Sequence, residues 1–229
     1  MEEVNVPYEK VMVDLQNKAD DFIELYGRAN PLFSARAKVP LLALSENDFI
    51  LCESLIVAEY VAEKFGNGRL FPQTVEDRAV MNLFTELCTS SFSYVPLLRL
   101  KKKDKDDFKM AVSNFEQGLQ GVDKFLRCHH PNGPFLFGET FTLADSNIAP
   151  FLQRCCVILP EFTKEYDNDG LMTRVVDPFE ICDKLALDRL KLWIQAVLSR
   201  PSVIETGVSK AQMIQSTHNM LERLASMES

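Results

Sequence analysis

The sequence predicts an α+β protein in which a small domain of short strands and helices, residues 1–72, precedes an all-helical bundle, residues 73–229. Two observations predict this division. Before Pro72, short apolar runs are separated by turn-forming residues, which is typical of strands and hairpins. After Pro72, apolar residues recur at spacings of three and four over long stretches, which is typical of amphipathic helices.

In the first domain, alternating apolar and polar residues predict a strand over residues 8–15. A short helix is expected over residues 20–26, because glycine, asparagine and proline follow it. Two apolar runs, 41–44 and 49–52, flank the polar sequence SEND and predict a hairpin. A helix over residues 54–65 then ends at a glycine-rich stretch.

In the second domain, helical spacing predicts five helices, over residues 75–100, 104–127, 143–158, 178–198 and 210–225. The third is apolar almost all round, as expected of a helix buried within a bundle. A polar connection, residues 160–177, precedes the fourth helix and is longer than most connections in compact domains. Its length is compatible with a lid over a site or with a simple surface excursion.

The composition of the 229 residues is that of a globular protein, with 46% hydrophobic and 25% charged residues. Acidic residues outnumber basic ones by 33 to 25, and the net charge of −8 argues against a nucleic-acid partner. No apolar run approaches the roughly 18 residues of a membrane span, and the start MEEVNVPYEK lacks a secretory signal pattern. We therefore expect a cytoplasmic protein without a membrane partner.

The six cysteines show no CxxC spacing, and several lie in apolar patterns, where a reduced thiol packs as a small hydrophobic group. Cys128, His129 and His130 are adjacent, as in some metal sites. Further ligands at a workable spacing are lacking, so no metal is expected and the segment is interpreted as the start of a polar loop.

Two short segments carry candidate binding groups. A cis bond between Val39 and Pro40 would leave the Val39 backbone free to pair with an extended peptide, and the alternative is a trans proline at a strand edge. At the start of the next helix, Ser54 is either an N-cap or, with the first helical amides, a ligand for a carboxylate. Glu53 would accept a hydrogen bond from an ammonium group. A small molecule with an α-amino acid head and a peptide-like middle would meet both segments.

The sequence KVP, followed about a dozen residues later by ESLIVAEYVAEKF, resembles the glutathione site of the cytosolic glutathione transferases, and is closest to their omega-like and tau-like branches. The resemblance covers nearly the whole chain. FTLAD at residues 141–145 is similar to the capping box of that family's buried helix. Trp193, followed by RPSV at residues 200–203, is similar to the end of a late helix. The resemblance implies a thioredoxin-like N-terminal domain followed by an all-helical C-terminal domain.

The resemblance also implies roles for individual residues. Val39 would pair through its backbone with the cysteinyl part of glutathione, and Pro40 would be the cis proline. Glu53 and Ser54 would hold the γ-glutamyl head of the same molecule.

Two lysines resemble family residues near the glycyl end of glutathione. Lys38 is similar to a lysine of the tau-like branch, and Lys18 is similar to a lysine used in both branches. The alternative for Lys18 is an exposed lysine at the beginning of a helix.

The family's reactive residue is a cysteine, serine or tyrosine at the N-terminus of the first helix, where amide dipoles lower the pKa of the glutathione thiol. Residues 2–8 resemble the end of that helix, so the family's first strand and catalytic segment would be absent before Met1. No residue of this chain matches the catalytic position, and the catalytic residue stays unknown. The absent strand would ordinarily lie between the strands expected at 8–15 and 41–44.

Two functions of different class follow from the resemblance. The first is a detoxifying transferase that conjugates glutathione to small electrophiles or performs thiol transfer with a disulfide substrate, and a homodimer is the expected assembly. The second is a non-catalytic binding or assembly module that has lost the catalytic segment.

Overall fold

The structure, a computed structural model, describes residues 1–32, 36–101, 105–166 and 172–228. The chain divides into two compact units, Met1–Phe71 and Pro72–Ser229. Within the described ranges, no helix is both long and apolar enough to cross a membrane.

The N-terminal unit contains four regular elements after a short 3₁₀ turn at its start. These elements are helix α1 (Asp20–Ala29), strand β1 (Leu41–Leu44), strand β2 (Phe49–Cys52) and helix α2 (Ser54–Phe65). The two strands form an antiparallel hairpin in which Leu41 pairs with Cys52 and Leu44 with Phe49. The predicted hairpin and the predicted second helix are confirmed at the same residues, whereas α1 continues to Ala29 instead of ending at Tyr26.

The strand predicted over residues 8–15 is wrong. Residues 6–14 have no regular secondary structure, and Val11 and Met12 are 74% and 78% exposed. Asp14 forms a turn instead, since its carboxylate accepts hydrogen bonds from the N–H groups of Gln16 and Asn17 at 2.8 and 3.2 Å. An alternating pattern becomes a strand only where another strand can pair with its backbone, and β1–β2 is the only ladder among the described residues of this unit.

Helix α1 packs its apolar face against β2 and forms the small core of the N-terminal unit. The buried centre and the partly buried side chains packed around it are Tyr26, Ala37, Cys52, Phe22, Ile23, Ala29 and Leu41. The end of α1 is also attached to the hairpin turn by an ion pair between Arg28 and Asp48. Contact with the Arg28 guanidinium lowers the pKa of Asp48. Together these contacts fix the hairpin against α1.

The C-terminal unit is mainly helical. Its described helices are α3 (Val75–Ser91), α4 (Val95–Lys101), α5 (Lys105–His129), α6 (Leu143–Thr163), α7 (Pro178–Lys184), α8 (Asp188–Leu198), α9 (Pro201–Thr206) and α10 (Lys210–Glu228). The prediction of five helices is therefore corrected, because two of the predicted helices are each divided and α9 was not predicted.

The predicted helix 75–100 ends at Ser91, and a second helix starts at Val95. Pro96 explains the break, because it has no N–H to donate to the residue four positions earlier and its ring crowds that carbonyl. Proline is tolerated in the first turn of a helix, where Pro96 now lies. The predicted helix 178–198 is likewise divided, at residues 185–187, where Ala186 has a φ of 52°.

The polar connection after α6 is shorter than predicted, because α6 continues to Thr163. Strands β3 (Glu165–Tyr166) and β4 (Met172–Arg174) then pair antiparallel, and the residues between them lie outside the described ranges. The hydroxyl of Thr163 accepts a hydrogen bond from the N–H of Val176 at 2.8 Å. This bond fixes the returning chain to the end of α6.

Trp193 lies at the centre of the C-terminal core and is fully buried. Its ring packs edge-on against Phe84, with centroids 5.2 Å apart, and lies 6.2 Å from Phe92. The predicted capping box at the start of α6 is confirmed, and the N–H of Thr142 donates to the carboxylate of Asp145 at 2.8 Å. The start of α6 is therefore fixed where it enters the core.

Candidate functional site

The register of the hairpin brings the two predicted binding segments side by side. Leu41 pairs with Cys52 at the open end of the hairpin, so the segment that enters β1 lies beside the segment that leaves β2. Residues paired across an antiparallel ladder have Cα atoms about 4.5–5.5 Å apart. The structure brings together five of the predicted site residues at this end, and all are exposed: Lys38, Val39, Pro40, Glu53 and Ser54.

The backbone of Val39 is available to a ligand. The Val39–Pro40 peptide bond is cis, as the resemblance implies, and Val39 is 47% exposed. Among the described residues, no backbone group is hydrogen-bonded to the N–H or C=O of Val39. One free donor and one free acceptor at the entrance to a strand can pair with an extended, peptide-like molecule.

Glu53 has an unusual backbone conformation, with φ 72° and ψ 117°. Positive φ is uncommon for residues other than glycine, and strained backbone of this kind often occurs at ligand-binding sites. The Glu53 carbonyl accepts the first hydrogen bond of α2, from the N–H of Val57 at 2.9 Å. Glu53 is therefore the N-cap residue of α2, and its exposed carboxylate lies at the beginning of that helix.

The N-terminus of α2 has no side-chain cap. Glu53 occupies the cap position, but its carboxylate accepts no hydrogen bond from the helix, and Ser54 is the first helical residue. Within the described residues, the Ser54 hydroxyl makes no hydrogen bond, so the interpretation of this serine as an N-cap is wrong. The first amides of α2 and this hydroxyl are consequently free to bind an anion, which the positive end of the helix favours.

A buried tyrosine and a buried thiol support this end of the hairpin. Tyr26 is 1% exposed and Cys52, the residue before Glu53, is 7% exposed. Burial, followed by the nearby Cys52 and Glu53, raises the pKa of Tyr26. Tyr26 is not among the residues predicted for the site, although its place on the apolar face of α1 with Phe22 and Ile23 is a usable signal.

The two predicted lysines differ in position. Lys38 is exposed immediately before Val39, where its ammonium group can meet a carboxylate of a ligand that lies along the hairpin end. Lys18 is partly buried and precedes α1. The β1–β2 register does not bring Lys18 to the hairpin end, so its place in the site stays a prediction.

The cysteines other than Cys52 lie outside this site, in the C-terminal unit. Burial raises the pKa of Cys88 and Cys155 well above the usual value, and raises the pKa of Cys156 and Cys182 to about 12. Such thiols are poor nucleophiles at neutral pH. In the described part of the chain, no three histidine, cysteine, aspartate or glutamate residues form a group that could hold a metal ion.

Comparison with known proteins supports the same interpretation of the fold. The family model described as the N-terminal domain of glutathione S-transferase matches residues 1–63, and the model of the C-terminal domain matches residues 76–196. The chain belongs to the glutathione S-transferase family. This membership confirms the resemblance stated from the sequence.

Curated glutathione S-transferases from plants and fungi are similar to this chain. It is 27% identical over 214 residues to the probable glutathione S-transferase DHAR1, cytosolic, of Oryza sativa subsp. japonica, covering 93% of this chain and 82% of that protein. It is 33% identical over 157 residues to glutathione S-transferase hmp2 of Hypomyces subiculosus, covering 62% and 69%. The chain spans about half, 54%, of the chloroplastic DHAR2 of the same rice.

Solved glutathione transferases share the fold. Omega 3C from Trametes versicolor aligns with a TM-score of 0.69 at 22% identity, covering 98% of this chain and 84% of that one. A trimeric glutathione transferase of Leishmania, TDR1, aligns with a TM-score of 0.69 at 24% identity, covering 93% and 43%. The predicted fold class is confirmed: a thioredoxin-like N-terminal domain with a small two-stranded sheet, followed by a helical C-terminal domain.

Proposed function

We propose that this member of the glutathione S-transferase family binds glutathione at the open end of the β1–β2 hairpin. The observation that carries the proposal is the pairing of Leu41 with Cys52, which places the free Val39 backbone beside the uncapped N-terminus of α2. A peptide-like group and an α-amino acid head, held a few ångströms apart in one molecule, match these two features.

Each part of glutathione has a matching group at this end. The cysteinyl N–H and C=O pair with the Val39 backbone, next to Pro40. The γ-glutamyl carboxylate accepts hydrogen bonds from the Ser54 hydroxyl and the first amides of α2, and its ammonium group donates to Glu53. The glycyl carboxylate lies towards Lys38, with Lys18 as a further candidate on the basis of the family resemblance.

The proposed reaction is conjugation of glutathione to a small electrophile, or glutathione-dependent thiol transfer with a disulfide substrate. Membership of the glutathione S-transferase family supports this class of reaction. We further propose a cytoplasmic, detoxifying role, in line with the cytosolic relative DHAR1. A homodimer is the proposed assembly.

A non-catalytic binding module is the second candidate, and the described helix N-termini of the first unit favour it. Activation of the glutathione thiol needs donors or positive charge near the sulfur. Helix α1 begins with Asp20 and Asp21, whose negative charges would disfavour a thiolate, and the start of α2 is assigned to the γ-glutamyl carboxylate. No described residue is therefore assigned to activate the thiol.

Titration calorimetry with glutathione tests binding. Saturable binding at or below millimolar glutathione is expected, and its absence would overturn the proposed function. Two activity assays on the same protein then separate the candidates. One measures conjugation of glutathione to 1-chloro-2,4-dinitrobenzene, and the other measures reduction of the mixed disulfide that glutathione forms with 2-hydroxyethyl disulfide. Turnover above the uncatalysed rate in either assay supports the transferase, whereas binding without turnover supports the non-catalytic module.

A further inference from the structure

We propose that Tyr26 and Cys52 are positioning residues, which hold Glu53 in the backbone conformation that presents its carboxylate to the ammonium group of the ligand. The proposal rests on the proposed binding of glutathione and adds two buried residues that support the binding site. Neither residue touches the ligand, and both act through Glu53.

The geometry that carries this inference is a contact between two elements. Helix α1 packs against β2, and its Tyr26 shares one buried cluster with Cys52, the last residue of β2. The Cys52 thiol and the Asn30 side chain both affect the pKa of Tyr26, so both groups lie near its hydroxyl. Glu53 follows Cys52 directly, so any shift of Cys52 is passed to Glu53 through a single peptide unit.

The unusual conformation of Glu53 makes such support necessary. A non-glycine residue at a φ of 72° is disfavoured and persists only where neighbouring contacts determine it. The residue after Glu53 begins α2, whose hydrogen bonds fix that side. On the preceding side, the fixed points are the pairing of Cys52 with Leu41 and the buried contact of Cys52 with Tyr26.

Tyr26→Phe tests the role of the hydroxyl, because the ring stays in the core while the polar contact is lost. We expect glutathione affinity to fall about threefold to tenfold, as for the loss of one hydrogen bond. Phe22→Leu is the matched control, since Phe22 packs against the same cluster from the same helix. This variant is expected to lose stability while keeping the affinity of the wild-type protein.

A ligand without the α-amino group distinguishes positioning from a general loss of structure. Glutaryl-cysteinylglycine lacks the ammonium group that Glu53 is proposed to bind. If Tyr26 acts through Glu53, Tyr26→Phe weakens binding of glutathione but leaves binding of this analogue unchanged. Equal weakening for both ligands would overturn the proposal, because a merely structural defect does not distinguish them.

A measurement without ligand makes the inference testable even if glutathione does not bind. Amide hydrogen exchange of residues 57–60 reports the first hydrogen bonds of α2, including the bond to the Glu53 carbonyl. We expect faster exchange there in Tyr26→Phe and in Cys52→Val, and exchange near the wild-type rate in Phe22→Leu and Cys52→Ser. Unchanged exchange in Tyr26→Phe and Cys52→Val would overturn the inference. Failure of the wild-type protein to bind glutathione would overturn only the proposed function.

Discussion

The indole N–H of Trp193 donates a hydrogen bond to the Asp145 carboxylate across 2.7 Å, and this bond joins α8 to the first turn of α6. The same carboxylate accepts hydrogen bonds from the N–H groups of Thr142 and Leu136, at 2.8 and 3.1 Å. Asp145 is fully buried. One side chain therefore satisfies polar groups from three segments of the C-terminal core.

Asp145→Ala is expected to destabilise the protein strongly. The substitution leaves the N–H groups of Trp193, Thr142 and Leu136 buried without acceptors, so we expect a loss of about 3 kcal/mol or more in the free energy of unfolding. Urea denaturation followed by tryptophan fluorescence measures the loss. Asp188→Ala is the control, because Asp188 is exposed in the first turn of α8. A loss for Asp145→Ala no larger than for this control would contradict the assigned role.

Two substitutions of Glu53 are expected to differ in protein stability but to weaken glutathione binding alike. Glu53→Gly removes the steric cost of a positive φ, so its free energy of unfolding should exceed that of Glu53→Ala by about 1 kcal/mol. Both variants lose the carboxylate and are expected to bind glutathione less tightly than the wild-type protein. Paired denaturation and calorimetry on the two variants measure both effects. Equal stability of the two would show that Glu53 is not strained.

Ser54→Ala is expected to weaken glutathione binding by about tenfold or more, because a hydrogen bond to a charged group contributes about 1.5–3 kcal/mol. Little change in stability is expected, since the Ser54 hydroxyl makes no hydrogen bond within the described residues. Ser90→Ala on α3 is a matched control, as an exposed helical serine whose hydroxyl bonds, among the described residues, only the Leu87 carbonyl. Titration calorimetry measures the glutathione affinity of both variants, and similar affinities would show that Ser54 is not part of the site.

The thiols of Cys156 and Cys182 are expected to react slowly at neutral pH and faster as the pH rises. With a pKa of about 12, Cys156 and Cys182 are thiolate at pH 8 in a fraction of only about 10⁻⁴, roughly a thousandfold less than at the reference value of 9.0. Their alkylation should rise about tenfold per pH unit from pH 7 to pH 9 without levelling off, because the pH stays below the pKa. Iodoacetamide labelling with peptide mass spectrometry tests this. A rise of only about fivefold from pH 8 to pH 9, as for a pKa of 9.0, would contradict the raised pKa.

Two glycines are expected to respond oppositely to the same substitution. Gly133 has a φ of 94°, and a Cβ there would lie 2.5 Å from the Gly138 backbone, so Gly133→Ala should destabilise by more than about 1 kcal/mol. Gly121 lies within α5 with nothing within 4 Å of an added Cβ. Gly121→Ala should therefore stabilise, by up to about 1 kcal/mol. Thermal denaturation of both variants checks the two signs.

Local patterns predicted much of the N-terminal unit. The hairpin and α2 follow from short apolar runs, a polar turn and helical spacing, all of which are properties of neighbouring residues. The segment 8–15 has an equally clear alternation but no strand beside it in the described part of the chain, and a pattern cannot report whether a partner is present. Local sequence therefore predicts a strand only on condition that the rest of the sheet is available.

In the helical unit, too, a local pattern alone did not determine which element forms. Helical spacing predicts a single helix over residues 75–100, whereas the structure has a break before Pro96. At the candidate site, KVP and ES identified the exposed residues, but the positive φ of Glu53 could not be predicted because glutamate has no preference for it. The support from Tyr26 depends on how α1 packs, which is a tertiary contact.

The hairpin also affects the order in which parts of the protein are expected to form. Both halves of the candidate site lie within residues 38–54, so closing the short β1–β2 loop is enough to bring them together, and this has a small entropic cost. The bond between Asp145 and Trp193 instead joins residues 48 positions apart. Because contacts between residues close in sequence form rapidly, we expect the open end of the β1–β2 hairpin to form in the first steps of folding, before the helical core closes.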